Sequence, residues 1–351
     1  MKILILSSAS SIHTQRWVRG LKDNNFDVEL FSIFAPTSDE KLKYKSMKIH
    51  VNSCFSKGSK INIYSKYFIK FFYLLSIPKI KKQIRIFKPD IVHAHYVSSY
   101  GILGSVVGFK RFFVSAWGDD VFIHRKNFIL KKLISFSLKK AVRIFSTSKA
   151  ISDVIKKDYN LDSQIIPFGV DTIKFKPHSR KMLNPITIGL IKSLEPYNGI
   201  ENLLLAFKTL LIRNINDIQL LIIGEGSFKD KLEKLVKELN INDKVTFLGK
   251  IDHSEIVKYY NKISIFVCPS IRESFGVSII EASSCQLPVI GNNVGGIKEV
   301  IKDGKTGYLI DTCDTTLLAD TIQKFILNDK LIKNFGLNGR KFVMENFEWK
   351  S

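Results

Sequence analysis

An α/β architecture of two doubly wound parallel-sheet domains facing each other across a cleft is what this chain of 351 residues predicts. Three observations predict it. Short, continuous runs of β-branched and aromatic residues, as expected of strands buried on both faces, alternate with segments of helical period. The alternation begins at the first residues, breaks over a basic, proline-bearing stretch without clear period, KFKPHSRKMLNP, and then restarts. The length suggests about two domains, each large enough to bury its own core.

KILILSS reads as a buried strand. A small-residue loop from Ser7 to Ser11 follows it, then a helix over IHTQRWVRGLKDNN with Thr14 as N-cap and Gly20 and Asn24 near its end. FDVELFSI is the second strand, and strand, helix, strand with short links opens a doubly wound sheet. KPDIVHAHY is a strand running into a loop, with His93 and His95 on one face. Two histidines do not make a metal site, and with no third ligand in sight none is expected. FFVSAWGDDVF and RIFSTSKAI are further strands entering polar loops, and IIPFGVDTIKFKP closes a first domain at residues 1–175. After a linker at 176–185, the second domain covers 186–351. It begins with the strand ITIGLIKS and the helix ENLLLAFKTLLIR, then IQLLIIGEG, a strand ending in a turn at Gly224 and Glu225. A helix carrying Glu233 and Lys237 at i, i+4 and a strand VTFLGKI come next.

The second domain then presents the most informative stretch, CPSIRESFGVSIIEASSCQLPVIGNNVGG. ISIFV before it is a strand, CPS breaks it, and Val277, Ile279, Ile280 and Ala282 recur at helical spacing until Pro288 stops the helix ahead of the strand PVI. Glu273 and Glu281 bracket that helix. Counted helically, they fall within about 80° of one direction and roughly 12 Å apart along the axis, so one extended ligand could touch both. The free N–H groups around Ser274, Phe275, Gly276 and Val277, with the positive partial charge of a helix start, suit a diphosphate. The same spacing equally fits a Glu273 that merely caps the helix and a Glu281 on its solvated face.

A hydrophobic fraction of 45% with 25% charged residues is ordinary for a globular protein and excludes disorder. No apolar run approaches the ~18 to 20 residues that span a bilayer, and the first residues lack a signal-peptide cleavage pattern. Cys54, Cys268, Cys285 and Cys313 are scattered without C-x-x-C, so a reduced cytoplasm is expected rather than a disulfide framework or a zinc site. The net charge of +22 is uneven: residues 1–175 hold 30 Lys and Arg against 12 Asp and Glu, the remainder 24 against 20. Such a bias suits nucleic acid or an anionic lipid surface. Residues 57–88 and 126–143 interleave aromatic and aliphatic side chains with lysines, as do segments lying on a membrane, and as do outer helices packed on a sheet.

The run PSIRESFGVSIIEASSCQLPVIGNNVGGIKEVIKDGKTGYLI resembles that of the retaining glycosyltransferases of glycosyltransferase family 4, the group 1 family, which adopt the GT-B fold of two Rossmann-like domains. The resemblance implies that Glu273 faces the donor sugar and that Glu281 hydrogen-bonds the ribose of the nucleotide. Where the family reads GRLxxxKG, with two charges for the donor diphosphate, this chain has Ser193 and Asn198, which leaves Lys192 as the cation. Gly224 and Glu225 join the implied donor set. SIHTQRWVRGL resembles the family's first loop, and Trp117 stands for the His of His-Gly-x-Asp with Gly118 and Asp120 matching. His13, His95, Trp117 and Asp120 are thus the acceptor-side or cleft candidates, Asp120 as an acceptor of sugar hydroxyls. FEW near the end looks like the family's FSW, after which a last helix usually returns to the first domain; here the chain stops.

The implied activity is sugar transfer, with retention and without a metal or cofactor, from a nucleotide-diphosphate sugar to a polysaccharide or lipid-linked acceptor. Cell-surface polysaccharide synthesis at the cytoplasmic membrane face (lipopolysaccharide, O-antigen or capsule) would be its setting, with an anionic membrane surface as partner and no nucleic acid. A nucleotide-sugar epimerase of the same architecture and a non-catalytic basic module binding membrane or nucleic acid are the alternatives.

Overall fold

Two sets of buried runs build two parallel sheets. The computed structural model describes residues 1–55, 73–122, 127–178, 184–311 and 314–349, which divide into two units, one from Met1 to Pro167 and one from Phe168 to Trp349. The first unit runs β1 (Lys2–Leu6), α1 (Ile12–Asp23), β2 (Asp27–Phe34), α2 (Ser38–Ser46), β3 (His50–Phe55), α3 (Ile77–Phe87), β4 (Ile91–His95), α4 (Ile102–Val107), β5 (Phe112–Ala116), α5 (Asp119–Phe122), α6 (Phe128–Lys140), β6 (Arg143–Ser146), α7 (Lys149–Tyr159) and β7 (Gln164–Ile165). Its sheet has the order β3-β2-β1-β4-β5-β6-β7, parallel throughout.

The second unit runs β8 (Ile186–Ile191), α8 (Ile200–Ile212), β9 (Ile218–Ile223), α9 (Lys229–Glu238), β10 (Val245–Phe247), α10 (Ile256–Tyr260), β11 (Ile265–Cys268), α11 (Val277–Ser284), β12 (Val289–Asn292), α12 (Ile297–Val300), β13 (Gly307–Ile310), α13 (Thr315–Ile326) and α14 (Asp329–Asn346). Its parallel order is β10-β9-β8-β11-β12-β13. Each sheet therefore grows outward from two central neighbours, β1 and β4 in one, β8 and β11 in the other. Beyond the carboxyl ends of such a pair the flanking loops part in opposite directions, and the crevice left there is where open α/β sheets bind ligands.

Local chemistry sets the element ends. Ser11 caps α1, its hydroxyl accepting from the amide of Thr14. Thr14, expected as the cap, lies one turn inside, where its hydroxyl shares a 2.7 Å hydrogen bond with Ser7. Pro78 sits in the first turn of α3, where its missing N–H breaks no helical bond. The domain boundary falls eight residues earlier than the chain's periodicity suggested, because residues 168–175 pack into the second unit. Val170 bridges to Glu348, Phe175 is fully buried against Tyr260, and Arg340 donates to the carbonyls of Thr172 and Phe175. Residues 57–72, residue 126 and Cys313, all singled out in the sequence, lie outside the described residues.

Candidate functional site

In the second unit the site is built where β8 and β11 end. ITIGLI and IFVC are buried strands, and each hands over to a loop, the first of which holds a single 3-10 turn at Pro196–Asn198. Lys192 opens the loop after β8, and Glu273 lies in the loop after β11; their side chains form a direct ion pair across the switch point. Both are largely shielded from solvent. The other oxygen of Glu273 accepts from the backbone amides of Ser274 at 3.0 Å and Phe275 at 3.4 Å. The amides of Gly276 and Val277, at the start of α11, meet no acceptor among the described residues.

The helix begins at Val277 because Gly276 adopts φ +103°, a left-handed conformation that ends helical geometry. Helical counting between Glu273 and Glu281 therefore fails: Glu273 belongs to a loop, and Glu281 is only one turn inside α11. Glu281 is also not on a solvated face. It is 5% exposed, one carboxylate oxygen 2.9 Å from Nε2 of His253 and the other accepting from the hydroxyl of Tyr260 at 3.0 Å. His253, from the loop after β10, packs its ring 5.4 Å from that of Phe175.

The remaining donor-side candidates stiffen these loops. Asn198 is fully buried, donating to the carbonyl and hydroxyl of Ser193 and accepting from Ser270. Asn292 donates to the carbonyls of Pro269 and Ser270, tying β12 to the loop after β11. The turn at Gly224 and Glu225 is drawn in by backbone bonds, Gly224 to Gly249 and Leu194 to Glu225. Gly199 lies so close to the carbonyl of Pro269 that a Cβ there would fall 2.0 Å from its oxygen.

In the first unit the candidates also gather at the switch point, beyond β1 and β4. His95, at the end of β4, is fully buried, its ring 4.6 Å from that of Trp117, and Trp117 contacts His13 edge-on at 5.8 Å. His93 shares a 2.8 Å hydrogen bond with Ser115 and lies 4.7 Å from His95. Burial holds His93 down to about 3, and burial reinforced by His93 and His13 holds His95 well below the ordinary imidazole value, so both rings are neutral. Both ring nitrogens of His95 lack a hydrogen-bond partner among the described residues. No group of three metal-binding side chains occurs among the described residues. Asp120 is fully buried; its carboxylate accepts from the amides of Val97 and Gly118 at 2.7 Å and of Trp117 at 3.2 Å. Burial pushes its pKa up to about 6 despite those donors. The expected contact of Asp120 with sugar hydroxyls gives way to a scaffold role: its oxygens face the backbone and hold the loop that presents Trp117.

His253 and Tyr260 are the site residues that sequence reasoning missed. Neither has a periodic or motif signal; their relation to Glu281 exists only after β10, α10 and α11 are packed together.

Comparison with known proteins places these features. Residues 171–342 match the family described as glycosyl transferases group 1, and residues 2–148 match glycosyl transferase 4-like. An uncharacterized glycosyltransferase of Methanocaldococcus jannaschii is 26% identical over 97% of this chain and 90% of its own length. The N-acetyl-alpha-D-glucosaminyl L-malate synthase of Bacillus anthracis is 27% identical over 87% of this chain and 83% of its own. Among solved structures, sucrose-phosphate synthase from Thermosynechococcus elongatus superposes with a TM-score of 0.82 at 20% identity, covering 99% of this chain and 95% of its own. Anabaena HepE in complex with UDP and glucose does so with a TM-score of 0.81 at 17% identity, covering 99% and 96%. With both halves of the chain matched and both sheets doubly wound, the protein belongs to the group 1 family of glycosyltransferases, family 4, with the GT-B fold.

Proposed function

We propose that the protein is a retaining glycosyltransferase that moves a sugar from a nucleotide-diphosphate sugar onto a polysaccharide or lipid-linked acceptor in cell-surface polysaccharide synthesis, such as lipopolysaccharide, O-antigen or capsule, in the cytoplasm. The observation that carries the reading is the Lys192–Glu273 pair spanning the β8–β11 switch point beside the unpaired amides of Gly276 and Val277. It supplies one cation and two oriented N–H dipoles for a diphosphate, with a carboxylate next to them for the sugar.

Transfer breaks the bond between the anomeric carbon and the diphosphate oxygen, leaving positive charge on the sugar and negative charge on the leaving group. Lys192 and the α11 amides would take up the second charge from fixed positions, with no metal or cofactor required. Glu273 would support the cationic carbon. The acceptor hydroxyl would form the new bond on the face the phosphate leaves, and its proton would pass to the departing phosphate oxygen, which retains configuration. Glu281, held by His253 and Tyr260, would accept from the ribose. HepE bound to UDP and glucose, and a partial match, 31% identical over 52% of this chain, to a capsular polysaccharide glycosyltransferase of Staphylococcus aureus, support the donor and acceptor classes.

The test is thermal stability of the purified protein with UDP, GDP, ADP or CMP, beside Glu281→Ala. One nucleoside diphosphate at about 100 times its Kd should stabilise wild type by ~2.7 kcal/mol and leave the variant unmoved. Equal silence of all four nucleotides would remove the donor site. Incubation with the matching nucleotide sugar and analysis of the anomeric configuration of the product then tests retention.

A further inference from the structure

Three consecutive residues of the loop after β11 are tied to the loop after β8, each by a different bond. The amide of Ile271 donates to the carbonyl of Tyr197 at 2.9 Å. The guanidinium carbon of Arg272 lies over the ring of the same Tyr197, 4.5 Å from its centroid. Glu273 forms the ion pair with Lys192. Tyr197 sits in the 3-10 turn Pro196–Asn198, and buried Asn198 fastens that turn to Ser193 on one side and Ser270 on the other. The ring is therefore offered from a fixed base. Tyr197 and Arg272 are both half-buried and Nε of Arg272 is shielded from solvent, a setting in which an aromatic face holds a cation more strongly than it does in open water. Arginine suits this place better than lysine, because its head is planar and permanently charged.

The three ties differ in what a ligand does to them. Where Lys192 takes up the charge of a diphosphate, Glu273 loses its ion-pair partner. The amides of Ser274 and Phe275 that remain on its carboxylate belong to its own loop and move with it. The amide of Gly296 donates to the Glu273 carbonyl at 3.1 Å, which anchors the main chain from the β12 side. On the β8 side, the stack of Arg272 on Tyr197 uses neither Lys192 nor the Glu273 carboxylate, so the arrival of a diphosphate leaves it intact. We propose that Arg272, stacked on Tyr197, is a positioning residue that keeps Glu273 at the anomeric centre and gives it a neighbouring positive charge once Lys192 has turned to the diphosphate. This role rests on the reading of the crevice as a donor site.

The experiment reads rate and affinity separately on variants of the whole protein. Its probes are the nucleoside diphosphate that stabilises the wild type and the UDP-, GDP- or ADP-linked hexose that the wild type hydrolyses fastest, followed by release of the diphosphate. Arg272→Leu should lower kcat about ten- to a hundred-fold, the usual result of displacing a reacting group by up to about an ångström. Its affinity for the nucleoside diphosphate, by isothermal titration, should stay within about two-fold of wild type, which also shows the variant folded with its donor site formed. Tyr197→Leu should reproduce both results, whereas Tyr197→Phe, which keeps the ring face, should retain most of the rate. Arg272→Leu with Tyr197→Leu should be no slower than either alone, as two partners in one contact are not additive. An unaltered kcat in Arg272→Leu overturns the proposal, and so does full additivity of the two leucine exchanges. A loss of diphosphate affinity in place of a loss of rate overturns it too, by making Arg272 a phosphate ligand. A wild type that binds none of the diphosphates and hydrolyses none of the sugar nucleotides removes the donor-site reading and this role with it, whereas the three preceding results leave that reading standing.

Discussion

Nε2 of His253 lies 2.9 Å from Oε1 of Glu281, while the hydroxyl of Tyr260 donates to the opposite oxygen at 3.0 Å. A buried carboxylate with a fixed partner on each oxygen has one orientation, and what that orientation offers a ribose depends on both partners. Replacing His253 by Ala should raise the donor KM about ten-fold while kcat changes little, because a hydrogen bond to a charged group contributes ~1.5 kcal/mol or more. Tyr260→Phe, at a fully buried position, should lower stability by ~1.5 to 3 kcal/mol in urea unfolding as well. A kcat effect without a KM effect for His253→Ala would contradict the positioning role.

The Lys192–Glu273 pair separates binding from chemistry. Lys192→Met should weaken the stabilising nucleoside diphosphate about ten- to a hundred-fold, the worth of one charge-assisted contact. Glu273→Gln releases Lys192 from its partner, so the same nucleotide should bind at least as tightly as to wild type, while kcat falls by ~10² to 10³. Isothermal titration and steady-state kinetics on the two variants check the split.

Buried titratable groups of the first unit make opposing contributions to acid stability. Asp120, raised from 3.8 to about 6, contributes stability that is full below pH 3.8 and lost as pH rises through about 6, a loss of roughly 3 kcal/mol. His93, lowered from 6.5 to about 3, contributes stability present above pH 6.5 and lost as pH falls toward 3. His95, also held well below 6.5, acts in the same sense as His93, so Asp120 offsets only part of the two histidines' contribution and wild type should lose stability as pH falls from about 6 to 4. Asp120→Asn, though less stable overall because one oxygen is lost to the backbone amides, should fall more steeply with acid across that window. Urea unfolding of both proteins at pH 4, 5, 6 and 7 measures the difference in slope.

Two glycines give a contrast on backbone grounds. Gly295 has φ +47°, and a Cβ there would fall 1.9 Å from the carbonyl oxygen of Glu273. Gly304 has φ +68° with nothing within 4 Å. Gly304→Ala should cost only the left-handed strain, about 1 kcal/mol, and leave activity alone. Gly295→Ala must displace the loop that carries Glu273; it should cost at least 2 kcal/mol more and reduce activity at least ten-fold.

Both sheets were legible because their central strands are buried on both faces and so write continuous apolar runs: KILIL, ITIGLI and IFVC are strands where expected. Strand β3, partly exposed along most of its length, and the polar helix α2 write no such run and were not anticipated. The ESFG stretch announced a strand, loop, helix and strand, but not where the helix begins, since that depends on the φ of Gly276 rather than on side-chain period. The domain boundary was hidden for another reason: Val170 pairs with Glu348, a contact between distant parts of the chain that no local pattern records. His253 escaped notice likewise, its only signal being a partner, Glu281, that lies in a helix distant in sequence from its own loop.

The approach of Gly199 to Pro269 is a contact of main chain with main chain, and Gly295 against Glu273 is another. Walls made this way take their contour from peptide groups, which side-chain exchanges elsewhere on the loops leave in place and a Cβ at either glycine does not. Asn198, donating to Ser193 and accepting from Ser270, braces the same loops from within. The contour of the crevice is thereby guarded by two residues that carry no side chain at all.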